Sequence, residues 1–256
     1  MHLLRELLNH FIINQIKISE SFDRLIMPAK FHIDGYQDFS RSVIPRYLRK
    51  NFVIYDIGGG KNPCITSDLK AVLNCYIVGL DIDENELRAA PNGIYNKIIC
   101  ADIMKHEGNS NGDLVVSLAL LEHVENVEAA LRGMAGCLRD GGNLCLFLPS
   151  KNALFARINK RLPERTKRLI LFSLFPNTKE KQGFPAYYDR CTPRDIKRIV
   201  QSLGFEIIEE RYYYISTYFS FFFPLHLLWR FYFIIFYLIA GEQAAETFGM
   251  VLRKAH

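Results

Sequence analysis

Residues 52–63, FVIYDIGGGKNP, carry an acid and then three consecutive glycines at the end of an apolar run. Such a run, bounded by glycine, reads as a buried parallel strand that hands over to a helix. Gly58, Gly59 and Gly60 accept backbone angles that a side chain forbids, and they let the main chain approach a nucleotide-sized ligand closely. In isolation the segment is equally well explained as a tight strand-to-helix turn. Two further runs shift that balance. Residues 76–80 lead to Asp81, about 20 residues after the glycines, where an acid of such a fold takes ribose hydroxyls. Residues 97–100 lead in the same way to Asp102. Three strand-like runs that each deliver a carboxylate at the same end place Asp56, Asp81 and Asp102 along one edge of a parallel sheet, the edge at which ligands bind.

The spacing separates two cofactor classes that use this edge. Counted from Gly58, the third glycine of a dinucleotide fingerprint would fall on Pro63, so an adenosine ligand without pyrophosphate fits better. With DIGGG, VGLDID (78–83), CADIMK (100–105) and DLVVSLALLEHVEN (113–126), the chain resembles the class I S-adenosylmethionine-dependent methyltransferases of the type 11/23 kind. The resemblance extends over residues 52–150 and resumes at the C-terminus. It implies an α/β fold: a doubly wound, seven-stranded, mostly parallel Rossmann-like sheet, with N-terminal helices and an apolar helical insert between the last two strands. It also implies S-adenosylmethionine as cofactor. Gly58 and Gly60 would line its methionine end, with Asp56 near its amino group, Asp81 on the ribose and Asp102 on the adenine amino group. Ile82 and Ile103 would pack the adenine, although both are equally explicable as core residues. Asn62 stands where many relatives have a further glycine.

A chain of 256 residues can bury one substantial core. The expected division is a helical cap at 1–50 and a methyltransferase domain at 51–256 whose apolar insert occupies 217–243. Cysteines at 64, 75, 100, 137, 145 and 191 lack metal-type spacing and read as small buried hydrophobes of a reducing compartment. The N-terminal MHLLRELLNHF is interrupted by charge and no small-residue cleavage site follows, which argues against a secretory signal. Leu4, Leu7, Leu8 and Phe11 share one helical face that caps the domain or lies on a membrane. The net charge is +5, and seven cations, Lys151, Arg157, Lys160, Arg161, Arg165, Lys167 and Arg168, gather against the single acid Glu164. This is either a solvated helix face or a basic surface for an anionic membrane.

From Tyr212 to Trp229 there is no formally charged residue, and after Arg230 the apolar run continues to Ala240. Residues 192–203 read as an amphipathic helix stopped by Gly204, with strands at 205–214 and 246–253. In the resembling family the last two strands pair antiparallel, so both ends of the insert stay with the domain. Two crossings would take about 40 residues and only about 30 are present. The expectation is therefore a helical hairpin or bent helix that enters one leaflet or lies in the interface, with Pro224 at the bend. Phe219, Phe221, Phe222, Phe223, Trp229, Phe231 and Tyr232 would sit at that depth, and Arg230 would reach the headgroups. A lid or dimer face is the alternative.

Methyl transfer is an in-line displacement that asks an enzyme for alignment and exclusion of water, with a general base where the acceptor is a hydroxyl. The candidate catalytic residues are His123, Asp189 and Tyr188, the last two within FPAYYDRCTP at 184–193, which equally suits capping of the helix near Pro193. The LLEHV stretch resembles that of ubiquinone-pathway O-methyltransferases, whose further acid, three places before Glu122, is Ala119 here; no metal is expected. The leading expectation is a methyltransferase acting on oxygen of a lipid-linked sugar or other amphiphile, resembling enzymes associated with bacterial cell-surface polysaccharide. It would be cytoplasmic, and peripheral or monotopic at the inner face of the cell membrane. Small-molecule acceptors, quinone or lipid-ring methylation and a catalytically silent membrane adaptor are alternatives. Nucleic acid is not expected as a partner, because SLALLEH lacks the Asn/Asp-Pro-Pro-aromatic signature.

Overall fold

The computed structural model of the chain describes residues 2–161 and 185–255. Seven strands form one sheet: β1 (Val53–Ile57), β2 (Tyr76–Asp81), β3 (Lys97–Cys100), β4 (Gly112–Leu118), β5 (Leu138–Pro149), β6 (Phe205–Tyr213) and β7 (Thr247–Lys254). Their order is β3-β2-β1-β4-β5-β7-β6. The first five run parallel, while β7 lies antiparallel between β5 and β6. This is the Rossmann-like methyltransferase fold expected from the sequence. Parallel strands covered on both faces must be apolar on both faces, which is why Ile54, Tyr55, Ile57, Leu114, Val115 and Val116 are all buried. Helices α1 (His2–Ile26), α2 (Gly35–Asp38), α3 (Ser67–Leu73), α4 (Glu84–Arg88), α5 (Val127–Cys137), α6 (Leu154–Arg161), α7 (Pro193–Ser202) and α8 (Phe223–Ala240) flank it.

Local chemistry sets the helix starts. Side chains of Thr66, Asn126 and Thr192 accept hydrogen bonds from Leu69, Ala129 and Asp195 N, each satisfying a first-turn donor of α3, α5 or α7. Parallel register then aligns the acids. Asp56 pairs with Gly79 and Asp81 with Cys100, so Asp56, Asp81 and Asp102, two residues beyond β3, emerge at one edge.

The additions depart from expectation in three ways. The stripe of Leu7, Leu8 and Phe11 is about half exposed, so it is not the face that α1 lays on the domain; Ser19 and Asp23 face inward instead. The Leu4 side chain lies outside the described residues. Pro224 does not bend a helix. It occupies the first turn of α8, where its missing N–H is no loss and its fixed φ favours the start. The insert is thus one continuous helix, preceded by a 3-10 turn at Thr217–Phe219 and ended at Gly241, where φ is +55°. By length and composition Phe223–Ala244 could cross a bilayer. Tyr213 and Thr247, however, pair on adjacent strands, so both ends of the insert are anchored to the same sheet edge.

Arg230 is the third departure. It does not reach outward but is 2% exposed and grips Asp23 of α1 with Nε and Nη2, at 2.8 and 2.5 Å. It also donates to the carbonyls of Tyr214 and Phe31, while His226 Nε2 lies 3.0 Å from Asp23 Oδ1. The α8 face that carries Arg230 is buried with Trp229 and Phe233, against Phe219, Phe31 and Tyr214. Phe219 and Trp229, expected at membrane depth, are therefore core residues. The opposite face, Leu228, Phe231, Leu238 and Ile239, is 67–81% exposed.

Candidate functional site

The glycine bend after β1 is built around Asp56. A side chain at Gly59 would collide with the Asp56 carboxylate tucked beneath it, and Cys64 N donates to Asp56 Oδ2 at 2.8 Å. Gly58 and Gly60 take φ of +79° and +47°, angles that glycine adopts without steric cost. A Cβ on Gly58 would stand 2.9 Å from Leu120 Cδ1, so the loop after β4 closes over the bend. Tyr95 steadies it from the other side by donating to the Gly60 carbonyl at 2.9 Å. Burial, with only the one backbone donor from Cys64 against it and Asp81 nearby, raises the Asp56 carboxyl to about 7.

Asp81 borders the same space. Its Oδ1 accepts from Asp83 N at 3.0 Å, while Oδ2 would lie 3.4 Å from a Cβ on Gly60. Burial raises its pKa despite backbone donors from Asp83 and Ile82. Asp102 Oδ1 accepts from Met104 N at 2.9 Å. Ile103 is buried and Ile82 is 61% exposed beside the bend. Side-chain-free glycines with the Asp81 carboxylate beside them leave room and an acceptor for an adenosyl group bearing a ribose diol, while the buried Asp56 carboxylate underpins the bend. Asp56, Gly58, Gly60, Asp81, Ile82, Asp102 and Ile103 are thus drawn to one edge, and the donor set fits S-adenosylmethionine.

The candidate catalytic residues fall differently. His123 Nδ1 lies 2.9 Å from the Pro185 carbonyl, which can only accept, so Nδ1 carries a proton, and Nε2 lies 3.7 Å from Glu122 Oε1. Tyr188 is buried, its phenol pushed well above the usual range by burial and by Glu122, Tyr218, Cys191 and Glu246. Its hydroxyl thus keeps its proton. Asp189 is engaged at the start of α5, where Oδ2 accepts from Val127 N at 3.1 Å and from Arg190 Nε at 3.3 Å. Phe184, also in that stretch, lies outside the described residues, as do Glu164, Arg165, Lys167 and Arg168.

Glu122, beside His123, is a buried acid that the sequence does not single out. It is 5% exposed, its Oε2 has no hydrogen-bond partner, and burial raises it to about 8. Its backbone carbonyl accepts from Tyr187 and Tyr188 N, which joins the loop after β4 to segment 185–191. Tyr36 also reaches the edge, where burial, Cys64 and Asp56 raise its phenol. No sequence signal marks Tyr36 or Tyr95, and burial of Glu122 depends on residues more than 60 positions away.

Residues 55–146 match the family model described as a methyltransferase domain. No curated protein matches the chain. Among solved structures it is similar to an S-adenosylmethionine-dependent methyltransferase from Methanosarcina mazei, with 18% identity, TM-score 0.53 and coverage of 84% of this chain and 97% of that one. A Haemonchus contortus phosphoethanolamine N-methyltransferase, solved with S-adenosylmethionine, is similar at 14% identity and TM-score 0.53, over 94% of this chain and 57% of that one. A chain from the Haloferax volcanii complex of a methyltransferase with its Trm112 activator is similar at 11% identity and TM-score 0.57, over 96% of this chain and 98% of that one. These likenesses define the fold. Beside them stands the match of residues 55–146 to a methyltransferase domain.

Proposed function

We propose that this enzyme methylates an oxygen of an amphiphilic acceptor, such as a lipid-linked sugar, at the cytoplasmic face of a membrane. The observation that carries this reading is the outward stripe of α8, Leu228, Phe231, Leu238 and Ile239, anchored by β6 and β7 to the carboxyl edge of the sheet. Fully burying such a side chain is worth about 1.5–3 kcal/mol. Four of them, already two-thirds or more exposed, supply enough to hold a domain at a bilayer surface, and α8 would then lie along the interface.

S-adenosylmethionine supplies an electrophilic methyl group on a positive sulfur. Asp81 holds the ribose, Gly58 and Gly60 leave room for the methionine end, and Asp102 receives the adenine amine. His123 Nε2, with its tautomer set by Pro185, takes the acceptor proton, while the Tyr188 hydroxyl orients the acceptor. Leu120 helps keep water from the bend.

Membranes and cytosol from the encoding organism, incubated with enzyme and methyl-labelled donor, test the proposal. Label in a lipid-linked saccharide fraction is expected. Label in free quinone would favour ring methylation, and label confined to nucleic acid or to water-soluble metabolites would defeat the reading.

A further inference from the structure

Beside the exposed stripe of α8 lies a two-lobed groove that shares only Tyr188 with the methyl-transfer site. One lobe is lined by Phe236, Ile239, Ala240 and Arg194, the other by Lys151, Lys160, Arg161 and Tyr188; Asn152 and Arg157 belong to both. The first lobe opens next to Leu238 and Ile239, 78% and 81% exposed. The second ends at Tyr188, whose backbone N–H bonds to the Glu122 carbonyl at the cofactor edge. The groove therefore runs from an apolar helix face, past a group of cations, to the reacting end of the sheet.

Its charge is one-sided. Lys151, Arg157, Lys160, Arg161 and Arg194 line it against Asp195, whose carboxylate already accepts from the Thr192 hydroxyl at 2.8 Å in the cap of α7. Arg157 is held in place at the junction. Its Nη1 donates to Tyr232 at 2.9 Å, and the guanidinium lies 5.7 Å from the centre of the Phe236 ring. A solvated basic face would need no such cavity, and an apolar docking surface would not gather cations at its inner end. Guanidinium groups recognise phosphate oxygens in paired hydrogen bonds, and neighbouring ammonium groups add point charge.

We infer that this groove binds the phosphate or diphosphate ester of a single lipid chain, with the chain along α8, the phosphate among Arg157, Lys160, Arg161 and Lys151, and the remainder of the molecule directed toward Tyr188. The inference rests on the amphiphile reading above and assigns that acceptor a phosphate link; it involves no chemical step of its own.

Calorimetry with dodecyl phosphate below its micellar concentration, inorganic phosphate and dodecanol separates the contributions of chain and charge. Dodecyl phosphate is expected to bind saturably, at least about tenfold tighter than either fragment, since each charge contact of this kind adds about fivefold. Lys160→Glu with Arg161→Glu is expected to weaken dodecyl phosphate at least about tenfold by the same reckoning. Affinity for S-adenosylhomocysteine should stay unchanged, which reports that the variant is folded. Equal binding of dodecanol and dodecyl phosphate, or an unaltered affinity in the double variant, would overturn the assignment. Because the probe needs no methyl transfer, its failure is separate from a failure of the acceptor trial above.

Discussion

Asp56 and Asp23 are both withdrawn from water, 2% and 3% exposed, yet burial leaves them in opposite states. At the tip of β1, Asp56 has one backbone donor, and desolvation raises its carboxyl to about 7. Between α1 and α8, burial also works against the charge of Asp23, but hydrogen bonds from His226 and Arg230 outweigh it and lower the pKa. Glu122 is likewise buried and raised, to about 8, and its Oε2 has no hydrogen-bond partner. The contrast separates two uses of buried charge. In the crevice the acids keep acceptor capacity that the fold does not consume. In the apolar layer the charge is spent within the protein, where it fastens a greasy helix to the domain by one face and leaves the other bare.

The strongest way to break the comparison is Arg230→Met. Removing one partner of a buried pair strands the other, at a cost of about 3–5 kcal/mol. Denaturant unfolding should show that loss while donor affinity in the folded protein stays put; undiminished stability would mean that the pair does not secure α8. Gly58→Ala acts on the other region. A side chain at φ +79° that also meets Leu120 costs about 1–3 kcal/mol, and donor affinity should fall with it.

Protonation sharpens the contrast. The unfolded chain ionises Asp56, Glu122 and Glu246 near 4, whereas the folded protein holds their protons to about 7, 8 and 7. Stability should therefore fall as pH rises from about 5 to 8, since the folded state binds more protons across that window. Asp23, with a lowered pKa, contributes stability that is lost as pH drops below its ordinary 3.8. Thermal scans should place the optimum near pH 4, and Glu122→Gln should flatten the decline above it. The smallest stability effect is expected for Leu238→Ser with Ile239→Ser, within about 0.5 kcal/mol per site because both are exposed. Flotation with lipid vesicles should nonetheless diminish, and undiminished flotation would relocate the contact.

The crevice was the more legible region because its determinants are local. A strand buried on both faces must be an uninterrupted apolar run, and a ligand at its tip demands glycine and acid within a few residues. The strands near 205–213 and 247–254 were visible from other local cues, the first opening behind the helix stop at Gly204 and the second ending in basic residues. The apolar layer was misread where its chemistry is distant. Arg230 and Asp23 stand 207 positions apart, and nothing within the run around Arg230 reveals an inward partner. A proline inside an apolar run fits a kink as well as a helix start, so the run alone does not put Pro224 in the first turn of α8. The burial of Glu122 is equally hidden from the sequence, because it follows from the loop at 185–191 joining it.

Calorimetric titration with S-adenosylhomocysteine, comparing the wild-type protein with Asp81→Ala, tests most directly whether the acid-tipped crevice holds the methyl donor. One saturable site is expected, weakened by about 1–3 kcal/mol in the variant, the cost of losing a hydrogen bond to a charged acceptor. No binding by the wild type, or equal affinity in both proteins, would contradict the account.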